Sequence, residues 1–468
     1  MTTVVVLGGG LAGLVSAYEL LNRADVRVVV VERQARIGGK LLARVVGSHM
    51  VDVGAEAFLQ RRPEMNDLVA ELGLSDYQVT SEMRGAHVWR GESLLPLPSP
   101  SHMGFVSDYA TADHLLTEAE QARARADLNL PASAISSSDY TVGEITRTRC
   151  GDGFAEAAVS PLLSGVYAGD IDNLSMEMCV PALFEALKTH TSLSAAVASL
   201  QSQSAESKSG SQQSPFGSVS PHLYSVAQTL HQKIIERGGT VMLETEIEDV
   251  AVSADAVVVV TNKGVISADA VVVAVPAHAA ATWTVSSEWH EFHSALEYSS
   301  MAIVSWELPN THKVVECLSG TGFLAARPHD LFIKAATWSS LKWPSLQETA
   351  PDSLFIRASV GDIQDTAWQA LENSEIAERA WHDICRVTGL DCEPRATLVT
   401  RWRDALPQYR PNHRERVQVL RSGLPSRVVV AGANYDGVGI PAVIQSANVA
   451  VSVLLKNLEN HSSLQEAQ

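Results

Sequence analysis

This 468-residue sequence predicts an α/β protein with a discontinuous, Rossmann-like nucleotide domain, and three observations carry that expectation. The apolar run Val4-Val5-Val6-Leu7 leads into the turn Gly8-Gly9-Gly10-Leu11-Ala12-Gly13. A helical stretch then returns to a second apolar run, 26–31, which ends at Glu32. Beyond residue 56 the regular βαβ signal stops, and short β-branched runs resume only at 241–247, 256–260, 269–276 and 428–431.

Each part of the first unit has a physical reason. Gly8 and Gly10 permit the tight turn and the close approach of backbone to a pyrophosphate, and Gly13 lets helix and strand pack closely. The helix that opens at Leu11 and Ala12 offers free N–H groups to phosphate oxygens. Glu32 sits where a carboxylate can hold ribose hydroxyls. A second glycine turn follows, with Arg36, Gly38, Gly39 and Lys40. The order strand-end Glu, then Arg-x-Gly-Gly-Lys, resembles the flavin amine oxidase superfamily, which binds FAD. A basic residue beside paired glycines can reach the same pyrophosphate from the other side. This second turn favours FAD over a nicotinamide.

Composition bounds the function. Hydrophobic residues make up 46% and charged residues 19%, a globular balance that allows two or three domains. The net charge of −18 argues against nucleic acid as a partner, because phosphate binding needs a basic footprint. No apolar run approaches the roughly 20 residues of a transmembrane segment. Met1 leads straight into a core strand, so no signal peptide and a cytoplasmic location are expected. The five cysteines show no CxxC pair and read as reduced thiols, and the histidines show no metal spacing, so no metal is expected.

The segments are expected to alternate. Residues 1–56, 221–276 and 396–458 build the FAD-binding domain. Residues 57–103 and 277–395 build a sheet-based substrate domain, with a helix at 373–389. Residues 104–198 form a helical insertion broken at Pro131, Pro161 and Pro181. The Ser- and Gln-rich stretch 199–220 reads as a flexible linker, and 459–468 as a tail.

Longer blocks narrow the resemblance. Asp52-Val53-Gly54-Ala55-Glu56-Ala57-Phe58-Leu59, Pro161 to Asp170 (PLLSGVYAGD), Lys342-Trp343-Pro344, Arg401-Trp402 with Leu406-Pro407-Gln408-Tyr409, and Gly437-Val438-Gly439-Ile440-Pro441 resemble the porphyrinogen oxidases of haem synthesis. The likeness is strongest to the bacterial branch that oxidises coproporphyrinogen III. It runs from residue 4 to about residue 455, and the second and last blocks are its most specific parts. The resemblance implies that FAD is bordered by Gly8 to Gly13, Glu32, Arg33, Lys40, Gly54, Ala55, Glu56, Ala57, Trp402, Val438, Gly439 and Ile440, with Ile247 near the adenine. Read physically, Gly437 and Gly439 flank a turn into a helix over 442–455. That helix would aim N–H groups at the pyrimidine edge of the flavin, stabilising negative charge on reduction. The chain departs from the family's pattern at Ala447, at Gly361-Asp362, where relatives carry a cation, and at Ser218 to His222.

The implied chemistry is the removal of six electrons from a flexible, non-aromatic macrocycle, with hydride passing to flavin and dioxygen yielding hydrogen peroxide. The protein's share is binding, orientation and electrostatics, so no catalytic side chain is assigned. An anionic tetrapyrrole needs cations. The candidates are Arg61, Arg62, Arg84, Arg90, Lys334 and Lys342, with walls from Tyr167, Phe323 and Trp338. Two alternatives stay open at this stage: a protoporphyrinogen IX oxidase, and a non-catalytic flavin-binding partner of the haem pathway. The resemblance also leaves room for contacts with other enzymes of that pathway.

Overall fold

The computed structural model describes residues 1–131, 139–206, 214–253 and 256–466. Its nucleotide half is a five-stranded parallel sheet. β1 (Thr2–Leu7) lies in the middle, between β2 (Val26–Val31) and β4 (Ala270–Val273). β3 (Thr240–Met242) pairs outside β2, and β5 (Val428–Val430) outside β4. Three distant stretches of chain thus meet in one sheet, which reads as near-continuous valine because both of its faces are covered. Val4, Val6, Val28 and Val30 pack under α1 (Leu11–Arg23), α2 (Tyr224–Glu236) and α3 (Ile440–Glu466). Val5, Leu7, Val29 and Val31 pack on the other side with Val250, Val259, Trp289 and Phe292. Each such valine or leucine is fully or nearly fully buried, which favours folding by roughly 1.5–3 kcal/mol apiece.

The second sheet has seven strands, in the order Ala396–Pro407, Tyr298–Pro309, Ser353–Val360, Ile333–Thr337, Gly322–Ala325, His87–Arg90, Ser93–Pro96. One face is sealed by the amphipathic helix Asn373–Thr388, whose Ile376, Ala380 and Ile384 meet Val304, Trp306, Ile356 and Ala358. The helical insertion packs around its own core of Phe154, Leu163, Leu183, Val197 and neighbours. Pro181 sits in the first turn of its helix, where a missing N–H costs nothing, and Pro161 lies within the continuous helical run 152–167 just after the π-helical turn Ala155–Val159, so neither breaks a helix.

Three expectations change. The run 241–247 is not one strand: Glu244, at φ +50°, separates β3 from Ile247–Val252, which belongs to a separate antiparallel sheet over 247–268. The last helix is longer than 442–455 and spans Ile440–Glu466. Two parts of the stretch 199–220 form regular elements. Residues 199–206 extend the helix Leu193–Glu206, and Phe216–Val219 pairs with both Phe58–Leu59 and Gln78–Thr80; residues 207–213 lie outside the described residues. Low side-chain hydrophobicity hid these elements because their partners are far away in sequence. Among the described residues no helix is long and apolar enough to cross a membrane.

A cofactor cradle beside a half-open sheet face

At the carboxyl end of β1 the glycine turn is built from two unlike positions. Gly8, at φ +104°, donates its N–H to the Val31 carbonyl at 2.8 Å, and a Cβ on Gly13 would fall inside the surface of the Gly8 carbonyl oxygen. That side is closed. Gly10 is different: its φ of −74° suits any L-residue, and a Cβ there would meet only Gly39 Cα, at 3.9 Å. The space in front of Gly10, at the N-terminus of α1, is open and bounded by the second glycine turn. Gly38 donates to the Gly9 carbonyl at 2.7 Å, and the Arg36 guanidinium holds the Gly39 carbonyl at 2.9 Å.

Glu32 accepts the Gly9 N–H at 2.7 Å and the Gln34 N–H at 2.8 Å, one on each carboxylate oxygen. Each oxygen keeps a lone pair for a ribose hydroxyl. Lys40 and Arg33 are exposed and have no carboxylate within ion-pair distance among the described residues. The protein crowded around the Lys40 ammonium pushes it down to about 8. Ile247 begins its strand close behind Glu32, whose carbonyl accepts from Thr245.

The segment 53–57 crosses from this cradle to the seven-stranded sheet and is held from three sides. Ala55 donates to the Lys40 carbonyl at 3.1 Å, Trp402 Nε1 donates to the Val53 carbonyl at 2.9 Å, and Arg357 donates to the Gly54 carbonyl at 2.9 Å. Glu56, expected at the cofactor, has its carboxylate taken up elsewhere: it lies 2.8 Å from Lys342 Nζ and 3.3 Å from Arg357, and accepts from Ser339. These cations outweigh its desolvation and hold it down at about 2. Nearby Asp52 caps the start of α2, accepting from Leu223 and Tyr224, and burial pushes it up to about 7.

Strand register defines the second part of the site. Met301, Thr400 and Trp402, then Arg357 and Ser359, then Ala335, Thr337 and Leu324 share the sheet face opposite the helix Asn373–Thr388. All eight keep open surface, although only Thr400 and Trp402 lie on an edge strand. Trp402 and Arg357 tie this face to the cradle, and Leu324 meets the helix Ser160–Tyr167 at the position of Gly165. The face is therefore only partly covered, a half-open floor that runs from the cradle to the helical insertion. Val438, in the loop before α3, packs on the insertion's core, Ile440 packs on the nucleotide core, and the space around Gly439 is open.

Of the expected substrate groups, several are committed to the protein itself. Tyr167 is a core residue, not a wall: it is 7% exposed, stacks edge-on against Tyr409 and donates to the Cys179 carbonyl. Phe323 and Trp338 are likewise buried in the core behind the sheet. Arg62 pairs with Glu64 and donates to Gln445 on α3, Arg90 pairs with Glu120, and Lys342 with Glu56. Local spacing could not reveal these partners. Arg61 and Arg84 are exposed without an ion-pair partner among the described residues, and Lys334 is buried. Asp362, which stands where a cation was expected, pairs with Arg327.

Sequence reasoning missed the polar braces behind the cradle. Tyr298 donates to Asn434 Oδ1 at 2.6 Å and accepts from Ala277, Asn434 Nδ2 donates to the Val275 carbonyl, and Ser446 on α3 accepts the Gly432 N–H at 2.8 Å. These bonds fix the loops after β4 and β5, at the strand ends where α/β sheets bind ligands. Singly placed in unrelated segments, they leave no periodic signal.

A parallel sheet whose strand ends carry an open double glycine turn, beside a large sheet with one half-open face, defines a flavoprotein oxidase. The chain belongs to the flavin-containing amine oxidoreductases, whose sequence profile matches residues 11–455. It is 31% identical to coproporphyrinogen III oxidase of Bacillus subtilis (strain 168), over 97% of this chain and 98% of that protein. It is 32% identical to the same-named protein of Mycobacterium tuberculosis (strain ATCC 25618 / H37Rv), over 97% of each, and 27% identical to protoporphyrinogen oxidase of Homo sapiens, over 97% and 98%. Among solved structures, one described as a protoporphyrinogen oxidase from Exiguobacterium sp. 255-15 matches with TM-score 0.84 at 26% identity, over 98% of this chain and 99% of that one. Putrescine oxidase bound to putrescine shares the fold, with TM-score 0.71 at 13% identity over 97% and 99%. The cofactor is FAD, and the cradle fits it: Gly10 leaves room for a pyrophosphate, Lys40 is an open cation and Glu32 a diol acceptor.

Proposed function

We propose that the chain oxidises coproporphyrinogen III to coproporphyrin III in haem biosynthesis, with dioxygen as final acceptor. The half-open floor beside the cradle carries this reading. Apart from Arg357, which Glu56 neutralises, its residues are apolar or weakly polar, and it is joined to the cofactor side through Trp402 and Arg357. Bound FAD supplies a two-electron acceptor that dioxygen can reoxidise. The chain's own residues do the rest. Gly8, Gly9, Gly10, Leu11, Ala12, Gly13, Glu32, Arg33, Lys40, Ile247 and the segment Gly54 to Ala57 bind and orient the dinucleotide, with Trp402, Val438, Gly439 and Ile440 at the ring. The N-terminus of α3 offers N–H groups and the positive end of a helix dipole to the negative charge that reduction brings. None of the eight floor residues is a carboxylate or imidazole, in keeping with a reaction that needs positioning more than a strong base.

The test is turnover of the FAD-loaded protein on each porphyrinogen, read by porphyrin fluorescence together with hydrogen peroxide. Coproporphyrinogen III should be turned over faster, with peroxide formed at every two-electron step. Preferred turnover of protoporphyrinogen IX moves the reading to that substrate, and a yellow protein inactive on both overturns it.

A further inference from the structure

The floor carries one cation whose partner is missing. Lys334 lies on the strand Ile333–Thr337, where the register with Ser353–Val360 slips: Ile333 faces Val360 and Ala335 faces Ser359, leaving Lys334 as the extra residue of a bulge. Bulges re-aim a side chain. Ile333 stays in the sealed core behind the sheet, whereas the Lys334 Nζ reaches the Ser164 carbonyl, 3.3 Å away, on the helix that meets the floor at Leu324. Lys334 is 8% exposed, and among the described residues no carboxylate lies within ion-pair distance of it. Asp362, whose charge acts on it, is paired with Arg327, whose opposite charge also acts on it. One of its three N–H donors is used by a backbone carbonyl, and the ammonium is left without a counter-charge. Its neighbours on the same floor do not share this state, since Arg357 is bound by Glu56 and the Gly54 carbonyl.

A buried ammonium is costly without an anion, and proteins pair or hydrogen-bond such groups. Here the side that the protein leaves half-open is the floor, where the neighbouring Ala335, Thr337, Ser359 and Leu324 keep exposed surface, so the anion comes from what the floor holds. We infer that Lys334 is the carboxylate-reading residue of the floor, taking one carboxylate arm of a tetrapyrrole at the end next to the helical insertion. This rests on the substrate reading above and names its specificity-determining contact. Burial pushes the ammonium down to about 8, which accords with a group awaiting a counter-charge. In ordinary porphyrinogen turnover Lys334 acts by binding alone, so it should affect the ground state and the transition state alike.

The experiment compares wild type, Lys334→Met and Lys334→Gln, each loaded with FAD, for binding of the product coproporphyrin III and of its uncharged tetramethyl ester, followed by porphyrin fluorescence. Both variants should bind the tetra-acid about tenfold or more weakly while binding the ester like wild type, and KM for coproporphyrinogen III should rise with kcat little changed. Lys334→Gln keeps a donor for the Ser164 carbonyl and carries the test should Lys334→Met fail to fold. Equal loss for acid and ester marks a structural role and overturns the inference, as does unchanged binding of the acid in a variant with full FAD content. Wild type that binds neither porphyrin and turns over neither porphyrinogen overturns the substrate reading instead, a distinct result.

Discussion

The polar groups of the two sheets are spent differently. At the ends of the parallel strands they are backbone atoms and short contacts: Gly9 with Glu32, Gly38 with Gly9, Arg36 with Gly39, all within the first 40 residues. Lys40 and Arg33 are left open for a ligand. In the seven-stranded half, charge is consumed internally and at long range. Lys342 and Arg357 converge on Glu56, Arg90 on Glu120 and Arg327 on Asp362, which leaves Lys334 as the unpaired cation on the described floor. On the proposed reading, local backbone geometry holds the cofactor, whereas the substrate is selected by the few side chains that the protein has not already neutralised.

The largest effect that would break this contrast lies in the closed side of the glycine turn. Gly13→Val drives a branched side chain into the Gly8 carbonyl and should cost roughly 3 kcal/mol or more, lowering yield and thermal midpoint together. Unchanged stability would contradict the closed geometry. Next, Glu56→Ala strands two cations around a buried site, at a cost of about 3 kcal/mol, measured by denaturant unfolding at neutral pH. Because the Glu56 carboxyl is held below its unfolded value, at about 2, its contribution is complete above about pH 4.5 and is lost as pH falls toward 2. The gap between wild type and Glu56→Gln should shrink across that window.

Smaller again is Glu32→Ala. A hydrogen bond to a charged carboxylate is worth about 1.5–3 kcal/mol, so FAD affinity should fall at least tenfold in titrations of apoprotein, with the fold retained. The smallest expected effect separates two adjacent arginines. Arg61→Ala should raise KM for coproporphyrinogen III by about two- to fivefold at low salt and less at high salt, as befits an exposed charge. Arg62→Ala should leave KM alone, since that side chain is engaged by Glu64 and Gln445. Equal shifts in both would return Arg62 to the substrate side.

These contrasts also explain what could be read from residues alone. The first βαβ unit, both glycine turns, Glu32 and the helix 373–388 follow from periodicity and from turn chemistry, which act over a few residues. The strand Phe216–Val219 was hidden because its two partner strands come from 58–59 and 78–80. The engagement of the Tyr167, Arg62 and Glu56 side chains was illegible for the same reason: whether a polar side chain is free for a ligand depends on which distant residue already holds it. The bulge at Lys334 is a register property and has no signature in a single strand.

The central claim is that Gly10 faces ligand space while Gly13 faces protein, and flavin content measured beside apoprotein stability in Gly10→Val tests it most directly. The account predicts a folded protein with the thermal midpoint of wild-type apoprotein and no bound FAD, because the side chain fills the pyrophosphate's place and touches little else. A yellow Gly10→Val protein with full flavin content would contradict it.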